Sequence, residues 1–179
     1  MGYTEIAGGN AQFVLLNPNG ITCVGCGFIN LNQLTLATGS GNYNSDGSLA
    51  SINLNKGNHG KFSVSGAGLD ASLADYFRII SQEIKLAAPI WAKDNLEIYQ
   101  GSSNFNTATN TFSGTPNPNS SQLIGIDVSA LGSMYAGKVL LVASNLGLGV
   151  NISSDVIASS GAFDTLLPSS QSKQTCIGC

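Results

Sequence analysis

The chain of 179 residues carries a formal net charge of −3 with 9% of its residues charged, against roughly 25% in ordinary soluble domains. Its seven basic residues include one arginine, Arg78, which argues against a nucleic-acid or anionic-membrane partner, and no apolar run approaches the ~20 residues of a membrane-spanning helix. A hydrophobic share of 42% excludes disorder and is ample for one domain with its own core; 22 glycines and abundant Asn, Ser and Thr suit a turn-rich chain.

Met1 is followed directly by the strand-like Gly2-Tyr3-Thr4, without a basic-then-apolar signal segment. The apolar run Phe13 to Leu16 then enters the turn Asn17-Pro18-Asn19-Gly20-Ile21. Pro18 fixes φ, Asn19 tolerates the left-handed region and Gly20 occupies it without steric cost. Cys23 and Cys26 follow as a clip on a loop beside that turn, and Phe28 and Ile29 open the next strand.

From there short alternating stretches recur: Leu34/Leu36, Ile52/Leu54, Phe62/Val64, Ile84/Leu86, Leu96/Ile98 and Ile124/Ile126/Val128. Apolar residues at i and i+2 mark half-buried strands. Their starts lie 18, 10, 22, 12 and 28 residues apart. Steps near ten and near twenty describe one face of a coil and a whole coil, which predicts an all-β parallel β-helix, a solenoid with coils of roughly 20–25 residues. Polar turns interrupt it at Gly39 to Gly47 and Asn55 to Gly60. A longer segment from Gly101 to Gln122, with Pro116 and Pro118, is expected to project as an extra-helical loop or hairpin. Leu69, Leu73, Tyr76, Phe77 and Ile80 recur at helical spacing with Asp70 as a cap, which predicts one short helical turn between strands. The coil region is expected over 1–163, and a polar tail over 164–179.

The four cysteines form two CxxC units, Cys23/Cys26 and Cys176/Cys179. Together they could supply four zinc ligands, but a gap of 149 residues is far outside the usual spacing. A thioredoxin-like redox motif needs a βαβ setting that this strand-rich chain lacks. In a secreted protein a local disulfide within each unit is the simpler reading, with zinc as its rival. No catalytic site is expected. The ten acidic residues are scattered, His59 is the single histidine and sits in a turn-like run, and no nucleophile or phosphate-loop motif occurs. Trp91, flanked by Ala87, Ala88, Pro89 and Ile90, reads as a packed aromatic rather than a carbohydrate platform.

Three stretches carry a family resemblance: the string from Asn10 to Gly39, the string from Phe62 to Gly101 with its GLD and IWAKD segments, and DVSALGSMYAGK within Gly125 to Val150. They resemble, in order, the haemagglutination-activity or secretion domain of two-partner-secreted bacterial exoproteins. That family includes filamentous haemagglutinins, large haemolysins and contact-dependent growth-inhibition exoproteins. The resemblance implies a right-handed parallel β-helix that is secreted to the bacterial surface as part of a longer exoprotein. It implies a cognate outer-membrane transporter as partner, no cofactor and no metal. Asn17, Pro18, Asn19, Gly20 and Ile21 match the family motif and are expected to serve structure, transporter recognition or both. The family's upstream NPNL motif and secretion signal are missing, so a fragment or a truncated reading frame is expected. The alternatives are an adhesin surface for a host receptor or carbohydrate, and a remnant that folds poorly without its cap.

Overall fold

The structure, a computed structural model, describes residues 2–8, 11–55, 60–116, 124–145 and 149–167. Seventeen strands and no helix occur among the described residues. Strands β1 (Tyr3–Glu5) and β2 (Ala11–Leu16) form the first coil. β3 (Ile21–Ile29) bends around a corner and β4 (Leu31–Ala37) completes the second. A hairpin, β5 (Ser40–Tyr43) and β6 (Leu49–Asn53), then leaves the solenoid. The third coil is β7 (Lys61–Ala71) and β8 (Tyr76–Ser81), and the fourth is β9 (Glu83–Leu86), β10 (Ile90–Ala92) and β11 (Asn95–Gln100). A second hairpin comes next, β12 (Asn104–Asn106) and β13 (Thr111–Ser113). β14 (Ile124–Val128) with β15 (Met134–Ala143), and β16 (Gly149–Ile152) with β17 (Val156–Leu166), make the last two coils.

Every pairing between coils is parallel, and together they form a right-handed parallel β-helix with three faces. On one face the register aligns Phe13, Leu34, Phe77, Leu96, Val139 and Phe163. The steps are short, near twenty residues, except where a hairpin intervenes: Leu34 to Phe77 and Leu96 to Val139 each cover 43 residues. A second face stacks Ile21, Phe62, Ile84, Ile126 and Val150, and the third stacks Cys26, Leu69, Ile90, Met134 and Val156. Most of these side chains are fully buried in one continuous core. Because side chains alternate across a strand, each inward aliphatic lands on its counterpart in the next coil. Each such burial contributes roughly 1.5–3 kcal/mol before entropy is subtracted.

The two hairpins do not stay separate. β6 pairs antiparallel with β12, producing a four-stranded sheet ordered β13-β12-β6-β5. It covers one outer face of the solenoid through a second core of Ala37, Ile52, Leu54, Ile80, Tyr99 and Phe105. The alternating pair Ile52/Leu54 therefore belongs to this covering layer rather than to a coil.

The helical turn expected near Asp70 gives way to two strands and a tight turn. Leu69 and Ala71 close the inward row of β7, and Phe77 and Ile79 are inward positions of β8, all buried by period two. The turn between them is closed by the Ala74 amide on the Ala71 carbonyl at 2.9 Å. Asp70 accepts from the amide and hydroxyl of Ser72, so it caps this turn, while Leu73 and Tyr76 face solvent. β17 continues through Asp164 and Thr165 to Leu166, so the last strand passes beyond residue 163. Cys176, Cys179 and His59 lie outside the described residues.

Candidate recognition surface at the Asn17–Gly20 corner

The turn after β2 is closed by two bonds. The Gly20 amide donates to the Asn17 carbonyl at 3.0 Å, and the Asn19 amide donates to the Asn17 side-chain oxygen at 3.0 Å. The Asn17 amide in turn donates to the Ala37 carbonyl of the next coil at 2.9 Å. Asn17 thus satisfies three polar groups that a bend would otherwise leave exposed. Gly20 has φ of +109°, whereas Asn19 is not among the residues with positive φ, so the left-handed position falls on Gly20 alone. Ile21 is buried as the first inward residue of its face.

The corner is crowded because the coil that starts at Gly60 lies directly on the turn. A Cβ on Gly60 would meet the Pro18 carbonyl oxygen at 2.6 Å and the Gly20 nitrogen at 3.1 Å. Thr38 and Ser81 hold the same corner, their hydroxyls 2.7 Å apart and both within reach of the Gly60 carbonyl. Further along the axis the corner continues as a line of buried polar side chains. The Gln100 amide donates to the Gln82 carbonyl, Gln82 donates to Leu54, and the Ser102 amide and hydroxyl both donate to the Asn145 side-chain oxygen. Thr38, Ser81, Gln82, Gln100, Ser102 and Asn145 are all nearly inaccessible to solvent. Sequence reasoning missed this polar spine. Its one signal is that each member comes directly after the apolar end of a strand, or sits within two residues of it.

Cys23 and Cys26 are joined by a disulfide and lie inside β3, not on a loop. The strand accommodates them by a bulge. The register with β7 shifts between Val24 and Cys26, where Gly25 at φ +64° lies against Ala67 and Gly66 at φ +63° lies against Val24. Val24 faces outward by ordinary alternation, and the bulge after it lets both sulfur-bearing side chains point into the core, where Cys23 is fully buried. A clip placed in a strand is legible only with the partner strand's glycines in view.

The remaining candidates for chemistry are dispersed. The guanidinium of Arg78 donates twice to one oxygen of Glu97, at 2.9 and 2.6 Å, with the Tyr99 ring 5.7 Å away and the Tyr99 hydroxyl 3.4 Å from the same oxygen. Burial, and then the Glu97 carboxylate, push the Tyr99 phenol up to about 12, with the Arg78 charge opposing. Lys93 bonds Asp75 at 2.6 Å and Lys61 bonds Glu83 at 2.8 Å. Trp91 is half-buried beside Tyr135 of the next coil, the ring planes 11° apart.

The TPS secretion domain family, the domain of two-partner secretion, matches residues 1–172. The chain belongs to that family. Among similar proteins, the toxin CdiA of Yersinia pestis is 39% identical over 165 residues, which is 89% of this chain and 5% of that protein. The tRNA nuclease CdiA-2 of Burkholderia pseudomallei is 40% identical over 164 residues, again 89% and 5%. The chain therefore spans about a twentieth of the length of these curated relatives. The crystal structure of a filamentous hemagglutinin secretion domain superposes with a TM-score of 0.73 at 20% identity, covering 91% of this chain and 69% of that one. At that identity the likeness speaks for the fold: the secretion domain here is a β-helix of the same architecture.

Proposed function

We propose that this secretion domain is the part of a longer two-partner-secreted exoprotein that its dedicated outer-membrane transporter recognises while the chain is unfolded in the periplasm. It then folds at the cell surface and offers its stacked coils as the base on which the rest of the exoprotein builds. The match of the TPS secretion domain along residues 1–172 carries this reading. Physical features agree with it. The strands are short, their partners lie one coil away, and few charges need to be desolvated, so coils can add one at a time as chain emerges. Folding energy released outside the cell would make export directional.

In this reading the Asn17–Gly20 turn and Ile21 have two duties in succession. Extended, Asn17 to Ile21 present a short polar-apolar segment to the transporter; folded, they lock the corner between two coils. The domain itself carries no catalysis. The half-buried carboxylate of Glu97 is held by Arg78 and Tyr99, and those of Asp75 and Glu83 are held by lysines. Any toxic activity belongs to other parts of the exoprotein.

Secretion of the chain, carrying a signal peptide, from cells with and without the transporter that partners the Yersinia pestis relative tests the proposal. Transporter-dependent release into the medium is expected, together with binding of the urea-unfolded chain to that transporter's isolated periplasmic domains. Equal release without the transporter would overturn it.

A further inference from the structure

Cys23 and Cys26 are out of reach once the coils are closed. Cys23 is 0% exposed and Cys26 5%, and both belong to the main core. β7 lies along them on one side. It pairs with β3 from Ile21 to Gly27, and its Gly68 carbonyl oxygen stands 3.5 Å from Cys23 Sγ. On the other side β1 pairs with β3 from Gly27 to Ile29 and lays the Tyr3 ring over Gly27. A disulfide is made or broken by exchange, through a mixed disulfide that joins the reagent's sulfur to one of the chain's. A sulfur inside a closed core cannot form that bond.

We propose that the Cys23–Cys26 bond is made on the unfolded chain, by exchange with a disulfide-bearing oxidant, and is sealed when β7 stacks on β3. The exported chain proposed above would meet that oxidant in the periplasm; the order of bond and fold rests on burial alone. One cysteine thiolate attacks the oxidant's disulfide, forming the mixed disulfide and expelling one oxidant thiolate. The second cysteine thiolate attacks the chain's sulfur in that mixed disulfide, closing the bond and expelling the other. Two electrons pass to the oxidant, which leaves as two thiols carrying the two cysteine protons.

The spacing suits a reaction that comes before folding. The cysteines are three positions apart, so they meet without any tertiary contact. Gly25 between them has φ of +64°, a conformation glycine adopts without steric cost. The closed ring leaves the chain on both sides free to extend, so the oxidised chain is still a thread. The early bond also acts on register. It compacts the segment where the pairing with β7 shifts. A slip of one residue there would exchange inward for outward side chains, and a preformed bulge removes that alternative before β7 arrives.

Trapping free thiols with N-ethylmaleimide, read by mass spectrometry, tests the order. The reduced chain is exposed to oxidised glutathione in urea and, separately, after refolding in reductant that is then removed. Oxidation of the folded chain is expected to be ~100-fold slower or more, because it waits on opening of the coils. Dithiothreitol is expected to reduce the native oxidised chain more slowly than the urea-unfolded one by a similar factor. A reduced chain that stays unfolded until oxidised would support the same order. Refolding from urea, followed by tryptophan fluorescence, is expected to be roughly threefold faster for the oxidised chain than for the reduced one. Cys23→Ala/Cys26→Ala should refold at the reduced rate in both buffers. Exchange on the folded chain as fast as on the unfolded chain, in either direction, would overturn the sealing, and equal refolding rates would overturn the role in register. No transporter enters these measurements, so their outcome is separate from that of transporter-dependent release.

Discussion

A Cβ placed on Gly20 would stand 2.9 Å from the backbone carbonyl oxygen of Lys61, in the coil stacked on the turn. The corner is therefore restricted twice, by the positive φ of Gly20 and by the backbone that lies against it. Gly47, at the tip of the first hairpin, has φ of +84°, but a Cβ there would meet nothing within 4 Å. The pair separates the two causes. Gly47→Val is expected to cost about 1–3 kcal/mol from backbone strain alone. Gly20→Val carries the same strain plus a clash that Lys61 cannot relieve by rotating a side chain, and is expected to exceed it by about 1–3 kcal/mol. Urea midpoints of both variants decide it; equal midpoints would show that the contact with Lys61 contributes nothing.

The disulfide makes a different kind of contribution. Cys23 and Cys26 are three positions apart, so the bond closes a very small loop, and chain entropy assigns it about 2 kcal/mol. Both side chains are buried in the main core, so replacement must keep them apolar. The double variant Cys23→Ala/Cys26→Ala is expected to retain the β-helix and lose about 2 kcal/mol. The Ser/Ser variant, which buries two hydroxyls, should be worse by about 1–3 kcal/mol. Circular dichroism and denaturant unfolding under reducing and oxidising conditions measure both. A double alanine variant that fails to fold would mean the bulge depends on the bond.

Tyr99 supplies a pH signature. Its phenol is raised to about 12 in the folded chain, above the ordinary value of 10. A raised acid pKa means that the folded state holds the proton more tightly than the unfolded state does. The stabilisation is therefore fully present below pH 10 and is lost as pH rises from 10 toward 12. Burial is the main cause, with the neighbouring Glu97 charge adding to it. Tyr99→Phe is expected to flatten this part of the alkaline stability curve. Titrating unfolding free energy from about pH 8 to about pH 12 for both proteins isolates the phenol from the lysines, which are common to both. An unchanged slope in the variant would rule Tyr99 out.

Alternation was legible where the opposing surface was another coil. Leu34/Leu36, Phe62/Val64, Ile84/Leu86 and Leu96/Ile98 all point inward as period two requires. Ile52/Leu54 shows the same pattern yet packs against the outside, because alternation reports that one face is buried and not what buries it. The helix-like spacing from Leu69 to Ile80 arises because a short turn joins two strands at a distance that mimics helical repeats. The Asn17–Gly20 turn was readable from its residue types, since both its closing bonds are local. The polar spine was not, because its bonds join residues far apart in sequence: Thr38 to Ser81 and Ser102 to Asn145 are each 43 positions. No local pattern encodes such a contact. The pairing of β6 with β12 is invisible for the same reason.

That pairing is anchored by Phe105 of β12, which is fully buried, 4.9 Å from the Tyr99 ring on the solenoid and 5.3 Å from Phe112 on the neighbouring strand. Touching both layers, it holds the hairpin sheet down on the coils. Phe105→Ala is expected to cost about 3–5 kcal/mol, the range for a buried phenylalanine that leaves a cavity. The loss should be local first. Inward rows such as Phe62–Ile84 and Leu96–Val139 belong to a separate core and keep their partners. Hydrogen exchange should therefore show β5, β6, β12 and β13 losing protection at low denaturant while β7, β9 and β11 remain protected. Uniform loss across both layers would show instead that the hairpin sheet and the solenoid unfold as one cooperative unit, with Phe105 supporting the coils as much as the cover.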